Sequence, residues 1–457
     1  MGGSLKKRAM IFVVLALALA CCGALASAAT IGHRHAPTVR QPIARTHASR
    51  LPELFANPLL AARLAAGNPV AAAQFAHKSP PAGTARKRRV RFVKPFIYQA
   101  VVDGDYAYTL ETTVKLPLRT IYGGGISESL GVPTKLVRTQ VSTGTKTTML
   151  TTTRSTIYGL TARNGRVAMS LVRESARSRH RYDLDTQLLS AMHTDPLKTI
   201  ASQSAIYNEH TDAICGSGRL LSGLSNQGEF VEIAVDHDCA AKKPLDARMI
   251  AVAENGGERV IVPRLTSDVL FGGALHLSGN MLLQGNPFGG GIYALDVTTG
   301  EKRRYWATTY SFALDQADDG SLALAPEGLG YFDLFGEGDS TSHGKLVIFP
   351  QGDENKPTIV SQTSGRTITV KFCGTRLYEL RPRGRIKYSY EDPESYLSGE
   401  LGAQMSLEII ERNFDGAYVK TVAVTPKAST KGYGCNGDSL TIATTKGTKL
   451  TAKVYGP

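Results

Sequence analysis

The sequence has few residues of the kinds that carry the commonest enzyme chemistries. Its 457 residues include ten histidines, six cysteines and a single tryptophan, Trp306. It contains no glycine-rich phosphate loop, no dinucleotide-binding fingerprint, no G-x-S-x-G nucleophile turn and no H-E-x-x-H zinc helix. These absences exclude the enzyme families that such motifs mark, and we expect no organic cofactor.

Acidic residues are nearly missing from the first part of the chain. Residues 1–94 contain fifteen Lys or Arg and one acid, Glu53, and therefore account for the whole net charge of +14. Residues 95–457 hold 38 charges of each sign. Because the body carries no basic excess, we expect no nucleic acid as its partner.

The N-terminus has the layout of an export signal. Three basic residues at 6–8 precede an uncharged run at 9–29 that ends in small residues, as signal peptidase requires. We interpret residues 1–28 as a cleaved signal peptide. A retained membrane anchor and a lipid anchor on Cys21 or Cys22 stay open as alternatives. In all three cases the body is exported, so the predicted location is extracytoplasmic, either secreted or associated with the cell envelope.

Residues 29–94 have the composition of a linker. Ala, Pro, Arg and His dominate, and the segment approaches its end with the basic run at 86–91. We predict a largely disordered basic linker, because such runs are usually solvated. The alternative is an electrostatic tether, in which residues 30–94 bind an anionic surface such as phosphate-rich envelope polymers or lipid head groups.

Four cysteines remain after the leader, and none forms a Cys-x-x-Cys pair. An even number of cysteines in an exported protein indicates disulfides, and four cysteines allow three connectivities. Of these we predict the one without nesting or crossing, Cys215–Cys239 and Cys373–Cys435.

After residue 95 the spacing of apolar residues favours strands rather than helices. Short apolar or alternating runs, each bounded by turn residues, occur at 167–172, 229–235, 345–349 and 439–443. We predict an all-β body that spans residues 95–457.

Turn signals after these strands recur with a period. They lie at Thr143-Gly144, Asp185-Thr186, Asn255-Gly256, Thr299-Gly300, Gly352-Asp353, Asp415-Gly416 and Lys446-Gly447. From 144 to 447 there are six steps of about 50 residues, the size of a four-stranded propeller blade. The sequence therefore predicts a β-propeller of seven blades, with six or eight as alternatives.

Two further features follow from this interpretation. The longest early step contains Cys215 and Cys239, and we attribute its excess length to an inserted loop closed by their disulfide. We also predict that the last hairpin, 441–454, shares a blade with a strand at 96–98 and so closes the ring.

One segment carries a resemblance to known proteins. Residues 290–301 read G-G-I-Y-A-L-D-V-T-T-G-E, with weaker copies at 136–144 and 182–186. The segment resembles the aromatic-x-Leu-Asp-x-x-Thr-Gly strand and turn of secreted bacterial β-propellers of the TolB-like and quinoprotein-like groups. The resemblance implies an architecture and little about activity, because propellers serve as binders, scaffolds and enzymes alike.

Polar residues that bind metals precede the first two body cysteines. They are Glu209, His210 and Asp212 before Cys215, and Asp236, His237 and Asp238 before Cys239. A Cys215–Cys239 disulfide brings these clusters together, and histidines with carboxylates are ligands for zinc or another divalent ion. The alternative is an exposed polar insertion in which Arg219, Lys242 or Lys243 compensates the acids.

Three other groups have candidate roles. Asp315, Asp318 and Asp319 lack calcium-loop spacing, and we interpret them as a solvated turn. The second group consists of Asp333, Glu337, Asp339 and His343. We interpret it either as the paired carboxylates of a glycoside hydrolase or as part of a long loop. The third group consists of Arg381, Arg383, Arg385, Lys387, Tyr388, Tyr390 and Tyr396. These residues either contact a sugar or an acidic polymer, or belong to an outer strand that is shielded by charge.

The missing motifs favour a non-catalytic function. We predict an exported β-propeller that binds or scaffolds an envelope polymer or a protein partner at the cell envelope. The alternative is an extracellular hydrolase or lyase that acts on glycans at the propeller mouth. The sequence leaves the oligomeric state open.

Overall fold

The described part of the chain consists almost entirely of antiparallel strands. The computed structural model describes residues 92–117, 132–153, 155–177, 181–208, 213–237, 246–264, 275–285, 292–306, 312–326, 346–360, 369–383, 406–426 and 428–457. The predicted signal peptide and nearly all of the basic linker lie outside these residues. The described residues contain no helix long and apolar enough to span a membrane.

The strands form meanders, in which each strand pairs with the next strand in the chain. We divide these meanders into seven groups of three or four consecutive strands and call the groups units 1 to 7. Unit 1 contains β2 (Ile97–Asp103), β3 (Tyr106–Thr112), β5 (Thr134–Gln140) and β6 (Lys146–Thr152). Unit 2 contains β7 (Ser155–Arg163), β8 (Arg166–Arg177), β9 (Arg181–Met192) and β10 (Lys198–Asn208). Unit 3 contains β11 (Ala213–Leu224), β12 (Phe230–His237), β13 (Asp246–Val252) and β14 (Glu258–Val262).

The remaining units are shorter. Unit 4 contains β15 (Leu275–Ser278), β16 (Met281–Gly285), β17 (Ile292–Asp296) and β18 (Lys302–Trp306). Unit 5 contains β19 (Phe312–Gln316), β20 (Leu322–Pro326), β21 (Leu346–Phe349) and β22 (Thr358–Val360), with a 3-10 turn at Pro350–Gly352. Unit 6 contains β23 (Thr369–Cys373), β24 (Arg376–Arg383), β25 (Ser406–Arg412) and β26 (Tyr418–Val424). Unit 7 contains β27 (Ser429–Asn436), β28 (Ser439–Lys446) and β29 (Lys449–Tyr455), and a separate pair is formed by β1 (Phe92–Val93) and β4 (Leu116–Pro117).

The four quoted apolar runs coincide with strands β8, β12, β21 and β28, apart from Glu229, which precedes β12, and residue 345, which lies outside the described residues. The turn after β17 also forms as the motif indicates, since Asp296 Oδ1 accepts hydrogen bonds from the amides of Thr298 at 2.8 Å and Thr299 at 3.2 Å. The all-β prediction is confirmed because strand alternation and turn chemistry are both local properties.

Three predictions about local organisation are wrong. Asp185-Thr186 is not a turn but lies inside β9. Residues 215–237 are not an inserted loop, because they form most of β11 and β12, which pair with each other. The strand that begins at Ile97 pairs with β3 in unit 1 and shares no sheet with the last hairpin among the described residues. In each case the observed pairing with the neighbouring strand differs from the one that the sequence pattern predicts.

Apolar clusters fill the spaces between successive units. Unit 1 packs on unit 2 through residues such as Tyr108 and Met169, and the following junctions are filled in the same way as far as unit 7. A further cluster joins unit 7 to unit 1 and contains Ala100, Ala107 and Ala443. The core is therefore divided among the junctions between sheets.

A disulfide ties the last two units together. Cys373 in β23 is bonded to Cys435 in β27, with a Cα–Cα distance of 5.2 Å. This is one of the two predicted pairings. It links the first strands of units 6 and 7 and is consistent with an oxidising, extracytoplasmic compartment.

Candidate functional site

The two ends of the strands carry different kinds of connection. Within units 1 to 6 the first-to-second and third-to-fourth connections are turns of two to eight residues, and we call the end that carries them the tight-turn edge. Longer connections, which include residues 113–133, 263–274, 327–345 and 384–405, all leave from the opposite end. In an antiparallel meander, successive connections lie alternately at the two ends of the strands. The long connections therefore share one end, which we call the long-connection edge.

Hydrogen bonds between neighbouring units line the tight-turn edge. They run from Gly165 N to Asp103 Oδ2 (2.7 Å), Asn164 Nδ2 to Asn226 O (3.2 Å), Asn226 N to Asn280 Oδ1 (2.9 Å), Asn280 N to Gln316 Oε1 (2.7 Å), Phe372 N to Asp315 Oδ2 (2.8 Å), Thr375 N to Asp438 Oδ1 (2.8 Å) and Gly104 N to Cys435 O (2.8 Å). Each bond satisfies a backbone or amide group that the meanders themselves leave unpaired. The series passes through units 1 to 7 in order and returns to unit 1.

Sequence reasoning missed these residues as a set. A short polar side chain, usually Asn or Asp, recurs at or next to the first-to-second turns, at Asp103, Asn164, Asn226, Asn280 and Asp438. Such residues are common in any turn, so their type alone does not indicate contact with the next unit. Their recurrence at the same turn of successive units was the available signal.

A projection rises from units 2 and 3 at the long-connection edge. Strands β8 to β11 have 11 or 12 residues each, whereas the first strands of units 4 to 6 have four or five. The extra lengths pair with one another, since Glu174 lies opposite Leu184 and Ile206 opposite Cys215, and they join both units into one eight-stranded sheet. We define the projection as residues 173–177, 181–185, 204–208 and 213–217.

Two of the six predicted metal residues, Asp236 and His237, lie within the described part of the chain. Residues 209–212, which include Glu209, His210 and Asp212, connect β10 to β11 and lie outside the described residues, as does Asp238. Asp236 and His237 end β12, opposite Ser217 and Gly216. Cys215 is disulfide-bonded, whereas its predicted partner Cys239 lies outside the described residues.

Asp236 is engaged by neighbouring side chains. Its Oδ2 lies 3.0 Å from Arg248 Nη2, and its Oδ1 accepts a hydrogen bond from Ser217 Oγ. Among the described residues the base that compensates it is thus Arg248 rather than Arg219, and Lys242 and Lys243 lie outside the described residues. No group of three His, Cys, Asp or Glu within the described ranges is placed to hold a metal ion.

Arg219 instead binds two carboxylates inside the sheet. Its guanidinium lies 3.4 Å from Glu232 Oε2 and also contacts Glu258. The Glu232 side chain is fully buried beside the apolar cluster between units 2 and 3, and its Oε1 has no hydrogen-bond partner in the described structure. Burial therefore raises the pKa of Glu232 to about 7, although Arg219 opposes this effect.

We expect this carboxyl group to make stability depend on pH. Its folded-state pKa lies above the ordinary value of 4.5, so the native state retains a proton that the unfolded chain releases. The free energy of unfolding should fall by about 3 kcal/mol as the pH rises from 4.5 to 7. Glu232→Gln should remove most of this fall in urea titrations at successive pH values. Equal pH profiles for the variant and the wild type would contradict the assignment.

A second set of side chains is arranged like a catalytic triad, but its terminal hydroxyl group is not accessible to solvent. Tyr108 Oη lies 2.7 Å from His193 Nδ1, and His193 Nε2 lies 3.3 Å from Asp103 Oδ2. Tyr108 is fully buried, and burial raises the pKa of its hydroxyl. Because no substrate reaches that hydroxyl, we assign the set to packing between units 1 and 2.

Two other predicted groups are partly corrected. Asp318 and Asp319 are exposed in a turn, as expected, but Asp315 is buried and lies 2.9 Å from Lys371 Nζ. Arg381 is also buried, and it binds Glu379 rather than solvent, while Arg383 is exposed. The candidates at 333–343 and 385–396 lie outside the described residues.

Comparison with known proteins yields structural neighbours only. No family model matches the sequence, and no curated protein matches it. An acylaminoacyl peptidase structure aligns with 79% of this chain at 10% identity and a TM-score of 0.45, and the chain spans 51% of that protein. The β-propeller domain of the Trilobed protease from Pyrococcus furiosus aligns with 79% of this chain and 96% of its own, at 9% identity and a TM-score of 0.42.

A third neighbour is virginiamycin B lyase from Staphylococcus aureus, which aligns with 81% of this chain and 99% of its own, at 9% identity and a TM-score of 0.37. The described part of the chain is all-β and its structural neighbours are propeller-like. At this level of identity the likeness concerns the fold and carries no statement about activity.

Proposed function

We propose that the chain is an exported, closed β-propeller of seven blades, which acts without catalysis as a binding or scaffolding module at the cell envelope. Support for the closed ring comes from the hydrogen bonds on the tight-turn edge and the apolar clusters between units, since both series return from unit 7 to unit 1. Such a ring is a rigid support for exposed recognition elements.

The projection is the surface that we assign to the partner. It stands at the edge that carries the long connections, away from the turns that hydrogen-bond to one another. Its exposed residues include Arg173, Ser175 and Ser204, and Ser204 Oγ donates to Asp185 Oδ1 at 2.7 Å. A paired ribbon with polar side chains presents hydrogen-bonding groups at little cost in conformational entropy.

Shortening the projection tests this role. In the test variant Asn-Gly replaces residues 174–184, because Arg173 and Asp185 already lie opposite each other and suit a two-residue hairpin turn. We expect this variant to fold with the β-sheet circular dichroism of the wild type but to lose retention on the envelope fraction of the cell that produces it.

The matched control changes the opposite edge. Gln227→Ala combined with Asp318→Ala alters two exposed turn residues and should leave retention unchanged. Full retention of the shortened variant would contradict the assignment of the projection. Release of soluble sugars from envelope glycans by the purified wild type would contradict a non-catalytic role and favour the hydrolase or lyase.

A further inference from the structure

Five exposed lysines surround the point where the chain enters unit 1. Lys446 and Lys449 lie directly opposite each other across the β28–β29 turn, and Lys453 follows on β29. Lys94 follows β1 and Lys115 precedes β4, directly beyond the paired residues Val93 and Leu116. We call these five residues the lysine patch.

Backbone contacts bring the two pairs of lysines to the same place. Ile97 N donates to Gly447 O at 3.0 Å, so the residues just before β2 run beside the β28–β29 turn. Residues 94 and 115 are thus held next to residues 446 and 449. The β28–β29 turn is a second-to-third connection, which places the patch at the long-connection edge.

Carboxylates do not balance this charge in the described part of the chain. No ion pair joins any of the five lysines to an acid there, although other surface lysines such as Lys356 and Lys420 have acidic partners. The last acid in the sequence, Asp438, lies at the other end of unit 7, where it accepts from Thr375 N. Like charges directly opposite in a sheet destabilise it, and Lys446 and Lys449 form such a pair.

We propose that the lysine patch binds a polyanion whose charges are phosphate groups. A multivalent phosphate ligand relieves the repulsion between Lys446 and Lys449 and contacts the neighbouring lysines at the same time, which a single chloride ion does not. Lysine suits this role because its ammonium binds phosphate as a point charge without a fixed orientation. Anionic lipid head groups and soluble phosphate polymers share this chemistry. The proposal concerns a surface separate from the projection and does not depend on it.

The test uses the full chain and two probes. One probe is vesicles of three parts phosphatidylcholine to one part phosphatidylglycerol, and the other is long-chain inorganic polyphosphate. The test variant combines Lys446→Gln, Lys449→Gln and Lys453→Gln. Each lysine near an anionic surface contributes about fivefold in affinity, so the variant should bind about a hundredfold more weakly to at least one probe. Binding should also weaken as salt is raised.

A control with the same net charge separates the patch from total charge. It combines Lys146→Gln, Lys198→Gln and Lys302→Gln, three exposed lysines on β6, β10 and β18, and should keep wild-type affinity within about twofold. Loss with the vesicles alone identifies lipid as the source of phosphate, and loss with polyphosphate alone identifies a polymer. Equal loss in both variants, or no binding of the wild type to either probe, would overturn the proposal. Thermal unfolding of each variant verifies that its fold is intact.

Discussion

Replacing Gly432 and Gly434 together by alanine should lower the free energy of unfolding by roughly 5 kcal/mol, because the first strand of unit 7 packs directly on the backbone of unit 1. A Cβ atom on Gly432 would lie 2.5 Å from Ala100 O, and one on Gly434 would lie even closer to Val102 O. Both obstacles are backbone atoms, which have no rotamer by which to move away. Chemical denaturation followed by circular dichroism measures the effect.

The reason for glycine here is close approach rather than backbone freedom. Neither residue has a positive φ, so alanine is compatible with the local conformation and only the contact between β27 and β2 opposes it. Gly257→Ala is the matched control, because its Cβ would meet only the Asn255 side chain. If the double variant unfolds at the same denaturant concentration as this control, then β27 does not pack on β2 and the ring is open. The single variant Gly432→Ala should give an intermediate loss.

Neutralising Glu379 is the second change with a large expected effect. Its carboxylate is fully buried in β24 and accepts hydrogen bonds from two guanidinium groups, Arg381 Nε at 2.8 Å and Arg412 Nε at 2.9 Å. Both arginine side chains are less than a tenth exposed. Glu379→Gln keeps the shape of the side chain but removes the negative charge that these arginines share. We expect a loss of about 4 kcal/mol, since removing one partner of a buried ion pair leaves the other charge uncompensated.

An exposed ion pair supplies the comparison. Glu254 lies 2.8 Å from Arg166 at the surface, and Glu254→Gln should leave the denaturation midpoint nearly unchanged because solvent already screens that pair. Similar midpoints for the two variants would show that Glu379 carries no structural charge. The Arg412→Met variant, which removes one of the two cations, should be less harmful than Glu379→Gln, because Arg381 still compensates the carboxylate.

The turn residues and the alternation of apolar residues in strands could be predicted from the sequence because they depend on residues that are close in the chain. The hairpin around Asp296 and the four apolar strands follow from local spacing. The parity of four cysteines predicts disulfides but allows three connectivities, and only the structure shows that Cys373 pairs with Cys435. The same local reading failed at Asp185-Thr186, where pairing with β8 and β10 continues the strand through a typical turn dipeptide.

The candidate site was only partly accessible to such reasoning. The sequence predicts that the polar clusters beside Cys215 and Cys239 come together, and this stays a prediction because residues 209–212, 238 and 239 lie outside the described residues. Within the described part of the chain, the register sets Asp236 opposite Ser217 at one end of the sheet. The sequence does not indicate that Arg248, rather than Arg219, compensates Asp236. Whether a basic side chain reaches one carboxylate or another depends on which strands are adjacent and on the face from which each side chain leaves.

The sequence by itself determined that this chain is built of antiparallel strands with a repeating turn pattern, and that a basic segment with a single acid, Glu53, precedes them. Only the tertiary structure decided that β8 to β11 extend into a projection, that Glu232 and Glu379 are buried with arginines, and that β27 packs on β2 through glycines. The physical reason is the separation in sequence between the residues that interact. Hydrogen bonding in a hairpin joins residues close in the chain, whereas burial and charge pairing between units join residues far apart, whose meeting depends on the register of every strand between them.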